Sequence, residues 1–507
     1  MPSREKWLVG GILLLFILLI TVPYIYANSA TDSEHTFSGF LLNPIDGHSY
    51  LAKMRQGFEG SWQFTLPYTA DPGEGVASNL YYLFLGHVAR VSDLSLVFIF
   101  HAARVLGALL LGLALYRLFF KVLVDPETKL FALALALFGS GLGWLAIWFG
   151  FFSSDFWVAE AFPYLASYAN AHFPLGLALQ VWLLAQALEI GVGWQRRATT
   201  ALLAFLLAVI FPFGWLIVVV VSGTWLLWQR WRQEPAGAEW THWLAVTAGG
   251  APYAAYALWV INTHPILSQW NAQNLTPASG LLDLFVAFSP ALALAGWGAI
   301  FAFHKGTSPS RLLAIWLLVG IILIYVPFGL QRRLISGLFI PAAGLAAVAL
   351  SGMGLRSPFR RLATAALFAL ALPTNVLIVL GGISAVGAND ARLTVSVAEL
   401  EAFDWLRDNA PSGSLVLASP ESGLRLPAYA QVRVVYGHPF ETVEATVRRA
   451  EVIDFYSGDW RLDYLERISV DYVLYGPREK SLGPEPNLPG WHLVFEQGVL
   501  IRIWMHP

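Results

Sequence analysis

The run Asn43-Pro44-Ile45-Asp46-Gly47-His48-Ser49-Tyr50 sets a carboxylate beside an imidazole just after the first hydrophobic stretch of the chain. The simplest use of Asp46 is as a helix N-cap, where a short acceptor side chain satisfies the unpaired N–H groups of a first turn. The same carboxylate can also act as a base or anchor for a substrate hydroxyl. Tyr50, Leu51, Met54 and Phe58 follow with helical spacing, which predicts an amphipathic helix from about Gly47 to Phe58 lying along a membrane interface.

Three other places carry groups able to do chemistry. In Gln331-Arg332-Arg333 two guanidiniums adjoin, and such a pair either snorkels at an interface or grips a phosphate or pyrophosphate by paired hydrogen bonds. His101 and Arg104 lie three residues apart on one face of an apolar helix, where an ionisable group faces a cavity or partner or snorkels outward. Glu160 and His172, with Tyr164, Tyr168 and Asn170, decorate a polar segment ahead of Phe173-Pro174.

The elements that hold these residues follow from composition. With 57% hydrophobic and 13% charged residues and a mean hydropathy of +0.59, the chain is too apolar for a water-soluble globule of 507 residues. It reads as a polytopic α-helical membrane protein, its 21 Trp and 18 Tyr suiting the two membrane interfaces. A net charge of −2 suggests no nucleic-acid partner. The lack of cysteine excludes disulfides, thiolate nucleophiles and Cys-ligated metals. Neither a Walker sequence, a Gly-rich phosphate fingerprint nor an HExxH motif occurs, so nucleotide hydrolysis and zincin chemistry lack support.

Hydropathy predicts about eleven spans, at roughly 7–27, 94–120, 129–151, 172–192, 198–212, 214–230, 240–261, 281–303, 311–329, 334–353 and 362–384. The first run is long enough to be a retained span rather than a cleaved signal. The fifth and sixth share one apolar stretch broken at Phe211-Pro212-Phe213-Gly214, which predicts a tight hairpin. If the spans alternate, basic groups such as Arg4 and Lys6, Arg196 and Arg197, and Arg360 and Arg361 fall on one side, the cytoplasm by the positive-inside rule. The first loop at 28–93, the Arg332-Arg333 loop and the C-terminal region then lie outside.

Composition changes near Gly387, and 17 of the 33 acidic residues fall between there and Pro507. The expected organisation is a transmembrane domain over 1–386 and a soluble extracytoplasmic α/β domain over 387–507. Within the latter, a helix is expected at Val397 to Asn409, strands at Leu415 to Ala418, Val432 to Tyr436 and Tyr472 to Tyr475, a helix at Glu441 to Tyr456, and a terminal strand pair at Leu493 to Phe495 and Val499 to Trp504. Tyr436-Gly437-His438-Pro439-Phe440-Glu441-Thr442 reads as a strand-to-helix turn, or else as a ligand-contacting loop.

The arrangement resembles the GT-C superfamily of integral-membrane glycosyltransferases, the group of polyprenyl-phosphate-sugar-dependent protein mannosyltransferases and aminoarabinose transferases. The resemblance rests on one span followed by a large external loop with the early acid Asp46, many further spans, the external Gln331-Arg332-Arg333 loop and a C-terminal external domain. It implies a hexosyltransferase-like enzyme of the plasma membrane that moves a sugar from a polyprenyl-phosphate donor to a hydroxyl on a lipid, glycan or protein acceptor. Asp46 would be the general base, Arg332 and Arg333 would hold the donor phosphate, and His48, Tyr50, Arg104, Glu160 and His172 are candidate substrate contacts. The nearest acid upstream of Asp46 is Glu34, so the paired first-loop acids of many relatives are missing and a divalent metal has no motif to support it. The rival readings are a transporter or lipid flippase, for which no internal repeat is found, and a non-catalytic membrane scaffold.

Overall fold

The computed structural model describes residues 3–189, 193–234, 237–354, 356–498 and 501–507. The chain divides into two compact units, each assembled from separated segments. The first takes Met1–Pro23, His101–Tyr256 and Thr276–Gly382, and the second Tyr24–Phe100, Ala257–Leu275 and Ile383–Pro507.

The first unit is helical. Of the described helices, six are long and apolar enough to cross a membrane: Arg4–Ala30, Leu96–Val122, Pro212–Trp231, Glu239–Thr263, Gln331–Gly352 and Pro358–Gly387. Two bent pairs, Pro126–Phe138 with Gly143–Phe149 (47°) and Leu281–Phe288 with Ala291–Lys305 (90°), raise the number to eight if each is one span. Hydropathy counts more because it gives short apolar helices full weight. His172–Ala187 and Ser308–Ile324 have 16 and 17 residues, roughly 25 Å of helix against a hydrocarbon core of about 30 Å. Residues 190–192, the end of the expected fourth span, lie outside the described residues. The expected break at Phe211 is present: Trp194–Ile210 ends there, Pro212 opens the next helix, and the two pack together.

The second unit is built on a five-stranded mixed sheet of order β4-β3-β5-β7-β6. Its strands are β3 (Leu415–Leu417), β4 (Arg433–Val434), β5 (Tyr472–Tyr475), β6 (His492–Gln497) and β7 (Ile501–Met505). β3 pairs in parallel with β4 and β5, while β7 runs antiparallel to β5 and β6. Val499 and Leu500, within the expected last strand, lie outside the described residues. The Val397–Asn409 helix starts at a capping box, with Ser396 and Glu399 satisfying each other's backbone N–H. Its Phe403 and Leu406 are buried in the core cluster with Val416, Val434 and Leu474.

The first loop belongs to this unit. β1 (His35–Phe37) pairs antiparallel with β2 (Thr394–Ser396), and Ala52 and Tyr68 are buried in the sheet's own core cluster. The Pro44–Phe58 helix is therefore not a surface-lying amphipathic helix. Gly47, Ser49, Ala52, Met54 and Gly57 are all buried, and it packs against the Leu80–Ser92 and Pro420–Tyr429 helices. Two glycines permit this approach: a Cβ on Gly57 would lie 2.0 Å from the Leu83 carbonyl oxygen, and one on Gly86 2.0 Å from that of Met54. The second unit thus draws on three stretches of chain far apart in sequence, which local hydropathy cannot register.

Candidate active site

Asp46 occupies the first turn of the Pro44–Phe58 helix, where the positive end of the helix stabilises a carboxylate. The N-cap position is held by Asn43, in the left-handed region at φ 50°, whose side chain makes no capping bond. The capping role expected for Asp46 is thus replaced by one in the third helical position, with its side chain 45% exposed.

Facing that helix is the turn from Gly437 to Thr442. Thr442 Oγ1 accepts from the backbone N–H groups of Gly437 (3.4 Å) and His438 (3.3 Å), and the Thr442 N–H donates to the His438 carbonyl (2.9 Å). The helix expected from Glu441 begins only at Ala445, because these bonds hold Pro439–Thr442 in a closed turn. His438 is 2% exposed, and its Nε2 lies 3.5 Å from Asp46 Oδ1.

The same turn delivers Glu441 to a buried cation. Lys53 Nζ donates to Glu441 Oε1 (2.6 Å) and to Ser49 Oγ (2.6 Å), and Ser49 Oγ donates to Glu441 Oε1 (2.6 Å). Lys53 also lies over the Tyr50 and Phe64 rings at 5.4 and 5.7 Å. Burial alone would raise the Glu441 carboxyl, but the Lys53 ammonium, His438 and the hydrogen bonds from Lys53 and Ser49 outweigh it and hold the group below the usual carboxylate range. Asp46, Ser49 and Lys53 have the i, i+3, i+7 spacing of one helix face, so a single face carries both contacts.

His48 points elsewhere. It is fully buried, edge-on to Phe40 at 5.5 Å, and neither ring nitrogen has a hydrogen-bond partner. Desolvation, then the charges of Arg425 and Arg478, push it well below the usual imidazole range, so it is neutral. Tyr50 stacks on Tyr82 at 4.5 Å.

In the first unit the Gln331–Ile335 turn carries the two arginines. Arg333 Nη1 lies 3.3 Å from Glu160 Oε1, and the Glu160 carbonyl accepts from the Gly337 N–H at 2.8 Å. The Arg332 guanidinium stacks over Trp157 at 4.7 Å, while the Arg332 backbone N–H donates to the Thr276 carbonyl at 3.0 Å. Glu160, read from sequence as a separate candidate, is thus the carboxylate partner of Arg333.

Arg104 serves the membrane helices. It is fully buried, and its Nη1 donates to the carbonyls of Ile20 (2.9 Å) and Ser167 (2.7 Å), while Nε donates to His101 Nδ1 (3.1 Å). Pro23 has no N–H for the Leu19 carbonyl, to which the Tyr164 hydroxyl donates instead at 3.5 Å, so Arg104 and Tyr164 satisfy the disturbed turn. His172 opens its helix with its ring against Phe173 at 4.1 Å.

Sequence reading missed Lys53, Ser49 and Glu441 as a group, and His438 as the neighbour of Asp46. It also missed two acids of the first unit. Asp155 accepts from the Gly141 and Gly143 N–H groups at 3.1 Å each and from Ser153, and Asp283 accepts from the Ser154 N–H at 2.8 Å and from its hydroxyl. The only signal for these was the presence of acids at the edges of apolar segments. Among the described residues no group of three or more His, Asp or Glu side chains is placed to hold a metal ion.

No protein-family model matches the chain, and no curated protein matches it. Solved structures do. The oligosaccharyltransferase of Archaeoglobus fulgidus in its apo form aligns over 94% of this chain and 70% of its own, with a TM-score of 0.59 and 13% identity. ArnT from Cupriavidus metallidurans bound to undecaprenyl phosphate aligns over 97% of this chain and 98% of its own, with a TM-score of 0.53 and 11% identity. The arabinofuranosyltransferase AftD from mycobacteria aligns over 99% of this chain but 40% of its own, with a TM-score of 0.53 and 16% identity. At these identities the likeness is one of fold.

Proposed function

We propose that this integral membrane protein, which has the GT-C fold of those structures, is a glycosyltransferase taking its sugar from a polyprenyl-phosphate carrier. The acceptor is a hydroxyl on a lipid, glycan or protein. The observation that carries the reading is Asp46: an accessible carboxylate in the first turn of a helix whose opposite faces are locked into a folded unit.

Asp46 would accept the proton of the acceptor hydroxyl as the acceptor oxygen attacks the anomeric carbon. The bond from that carbon to the donor phosphate oxygen breaks, and the polyprenyl phosphate leaves with the electron pair. Charge grows on the leaving phosphate in the transition state, where a guanidinium stabilises it most. Arg332 and Arg333 are the residues assigned to that task. An apolar groove of 340 Å³ in the first unit, lined by residues that include Leu18, Leu19, Val22, Tyr164 and Val376, suits an isoprenoid tail. In the same reading the N-terminus is cytoplasmic and the region after about residue 387 faces outward, a sidedness supported by the distribution of Lys and Arg.

The test is reconstitution. Purified protein in liposomes, given a panel of undecaprenyl-phosphate hexoses and pentoses, should release undecaprenyl phosphate faster than protein-free liposomes. No release from any of them, with no sugar appearing on added membrane lipid or peptide hydroxyls, defeats the reading in favour of a scaffold or a transporter. Cysteine placed at position 46 and treated with an impermeant thiol reagent reports sidedness without background, since the chain has no cysteine.

A further inference from the structure

We propose that His438 is a positioning residue for Asp46, donating from Nε2–H to the carboxylate and fixing the direction in which it faces a substrate. This rests on the reading of Asp46 as the base and adds a second residue to it, from a part of the chain 392 positions away by sequence.

The tautomer follows from the backbone. His438 Nδ1 accepts from the N–H groups of Phe440 and Glu441, each at 3.1 Å. Its lone pair is therefore in use, and the proton of the neutral ring sits on Nε2. That nitrogen is buried and makes no hydrogen bond in this structure, and the acceptor it faces is Asp46 Oδ1 at 3.5 Å. Tyr68 at 5.7 Å and Phe440 at 6.1 Å hold the ring between them.

The turn cannot drift from the helix, because it is attached twice. One attachment is His438 to Asp46. The other, one and two turns further along the same helix face, is Glu441 to Ser49 and Lys53. The titratable groups on the elements joined here are His438 and Glu441 from the turn, Asp46 and Lys53 from the helix, and Tyr68, whose ring lies against His438. Of these, His438 presents a donor nitrogen 3.5 Å from Asp46. The exposed part of the Asp46 side chain leaves the carboxylate accessible to an incoming hydroxyl.

Two substitutions separate the two ends of the imidazole. In His438→Asn the amide oxygen can replace Nδ1 as acceptor for the turn, while nothing reaches Asp46. In His438→Gln the longer side chain can bring an N–H to the place of Nε2, and the acceptor for the turn is lost. Carbodiimide and amine labelling of Asp46 in the purified full chain, followed by peptide mass spectrometry across a pH series, reads the carboxyl's titration without any turnover.

A hydrogen bond to the ionised form lowers a carboxyl's midpoint, so losing it should raise the Asp46 midpoint by roughly half a pH unit in His438→Asn. His438→Gln should stay near the parent. With a working transfer assay, the acid limb of kcat should move in the same order while KM for the donor stays put. An unchanged midpoint in His438→Asn overturns the proposal, as does a shift in His438→Gln as large as in His438→Asn. Absence of any glycosyl transfer by the parent instead defeats the reading of Asp46 as a base and leaves the labelling result standing.

Discussion

The two regions that carry the candidate residues are built in opposite ways. Around Asp46, charges are sunk into protein and matched by partners far away in sequence: Lys53 and Glu441 are 388 residues apart, and their side chains are 5% and 13% exposed. Around Arg332 and Arg333, the cations stand on one short 3₁₀ turn, and the Arg333 side chain is 35% exposed beside a buried Glu160. A buried pair is costly to desolvate and serves to specify geometry, whereas the Arg333 guanidinium is partly open to solvent. This suits the proposed base, which must be aimed, and the proposed phosphate site, which must exchange its ligand.

The sharpest way to break the contrast is Asp46→Asn. If the aimed carboxylate is the base, turnover in the liposome assay should fall on the order of 100- to 10,000-fold while binding of the polyprenyl-phosphate donor is retained. Equal activity of the variant and parent would return Asp46 to a purely structural role.

The second test concerns the scaffold beneath it. Lys53→Met leaves the Glu441 carboxylate buried without its ammonium, and should cost about 3–5 kcal/mol of stability, read as a large drop in thermal midpoint in detergent. The double substitution Lys53→Met with Glu441→Leu should recover much of that loss. If Lys53→Met alone is neutral, the buried pair does not hold the Gly437–Thr442 turn to the helix.

How much of this was legible follows the same division. The Val397–Asn409 helix and the strand Tyr472–Tyr475 were read with their observed limits, since a capping box and a run of β-formers are local signals. Asp46 stood out for its place in the chain, and the arginine pair for violating a charge rule; both are properties of short windows. Lys53 and Glu441 could not be read, because neither segment hints at the other. The buried state of the Pro44–Phe58 helix was hidden for a related reason: its apolar stripe is modest, and its packing depends on Gly57 and Gly86 meeting neighbouring backbone. Arg104 stood out because an arginine in an apolar helix is rare, while the carbonyls of Ile20 and Ser167 that take its Nη1 donors could not be read from its own segment.

The open region gives a smaller effect. Arg332→Ala and Arg333→Ala should each weaken donor affinity by roughly tenfold, the scale of a charge-assisted hydrogen bond. Arg333→Ala should also lower the thermal midpoint, because Glu160 is left buried without its cation, whereas Arg332→Ala removes a guanidinium stacked on Trp157. Unchanged donor affinity in both would leave the Gln331–Ile335 turn as structure alone, and the contrast between an aimed base and an exchangeable phosphate site would fail.

The smallest effect is a pH dependence within the buried region. His48 is neutral in the folded chain because burial, aided by the charges of Arg425 and Arg478, depresses it well below an imidazole's usual value. Below about pH 6.5 the unfolded chain binds a proton at this position that the folded chain refuses, so folding loses roughly 1.4 kcal/mol per pH unit there. The loss continues until the pH reaches the depressed folded value. His48→Phe removes that proton from the unfolded state and keeps an aromatic ring beside Phe40. The thermal midpoint of the variant should therefore fall less steeply than the parent's between pH 6.5 and 5, with similar slopes above pH 7. Parallel curves across the whole range would mean that His48 takes up a proton in the folded chain as readily as in the unfolded one.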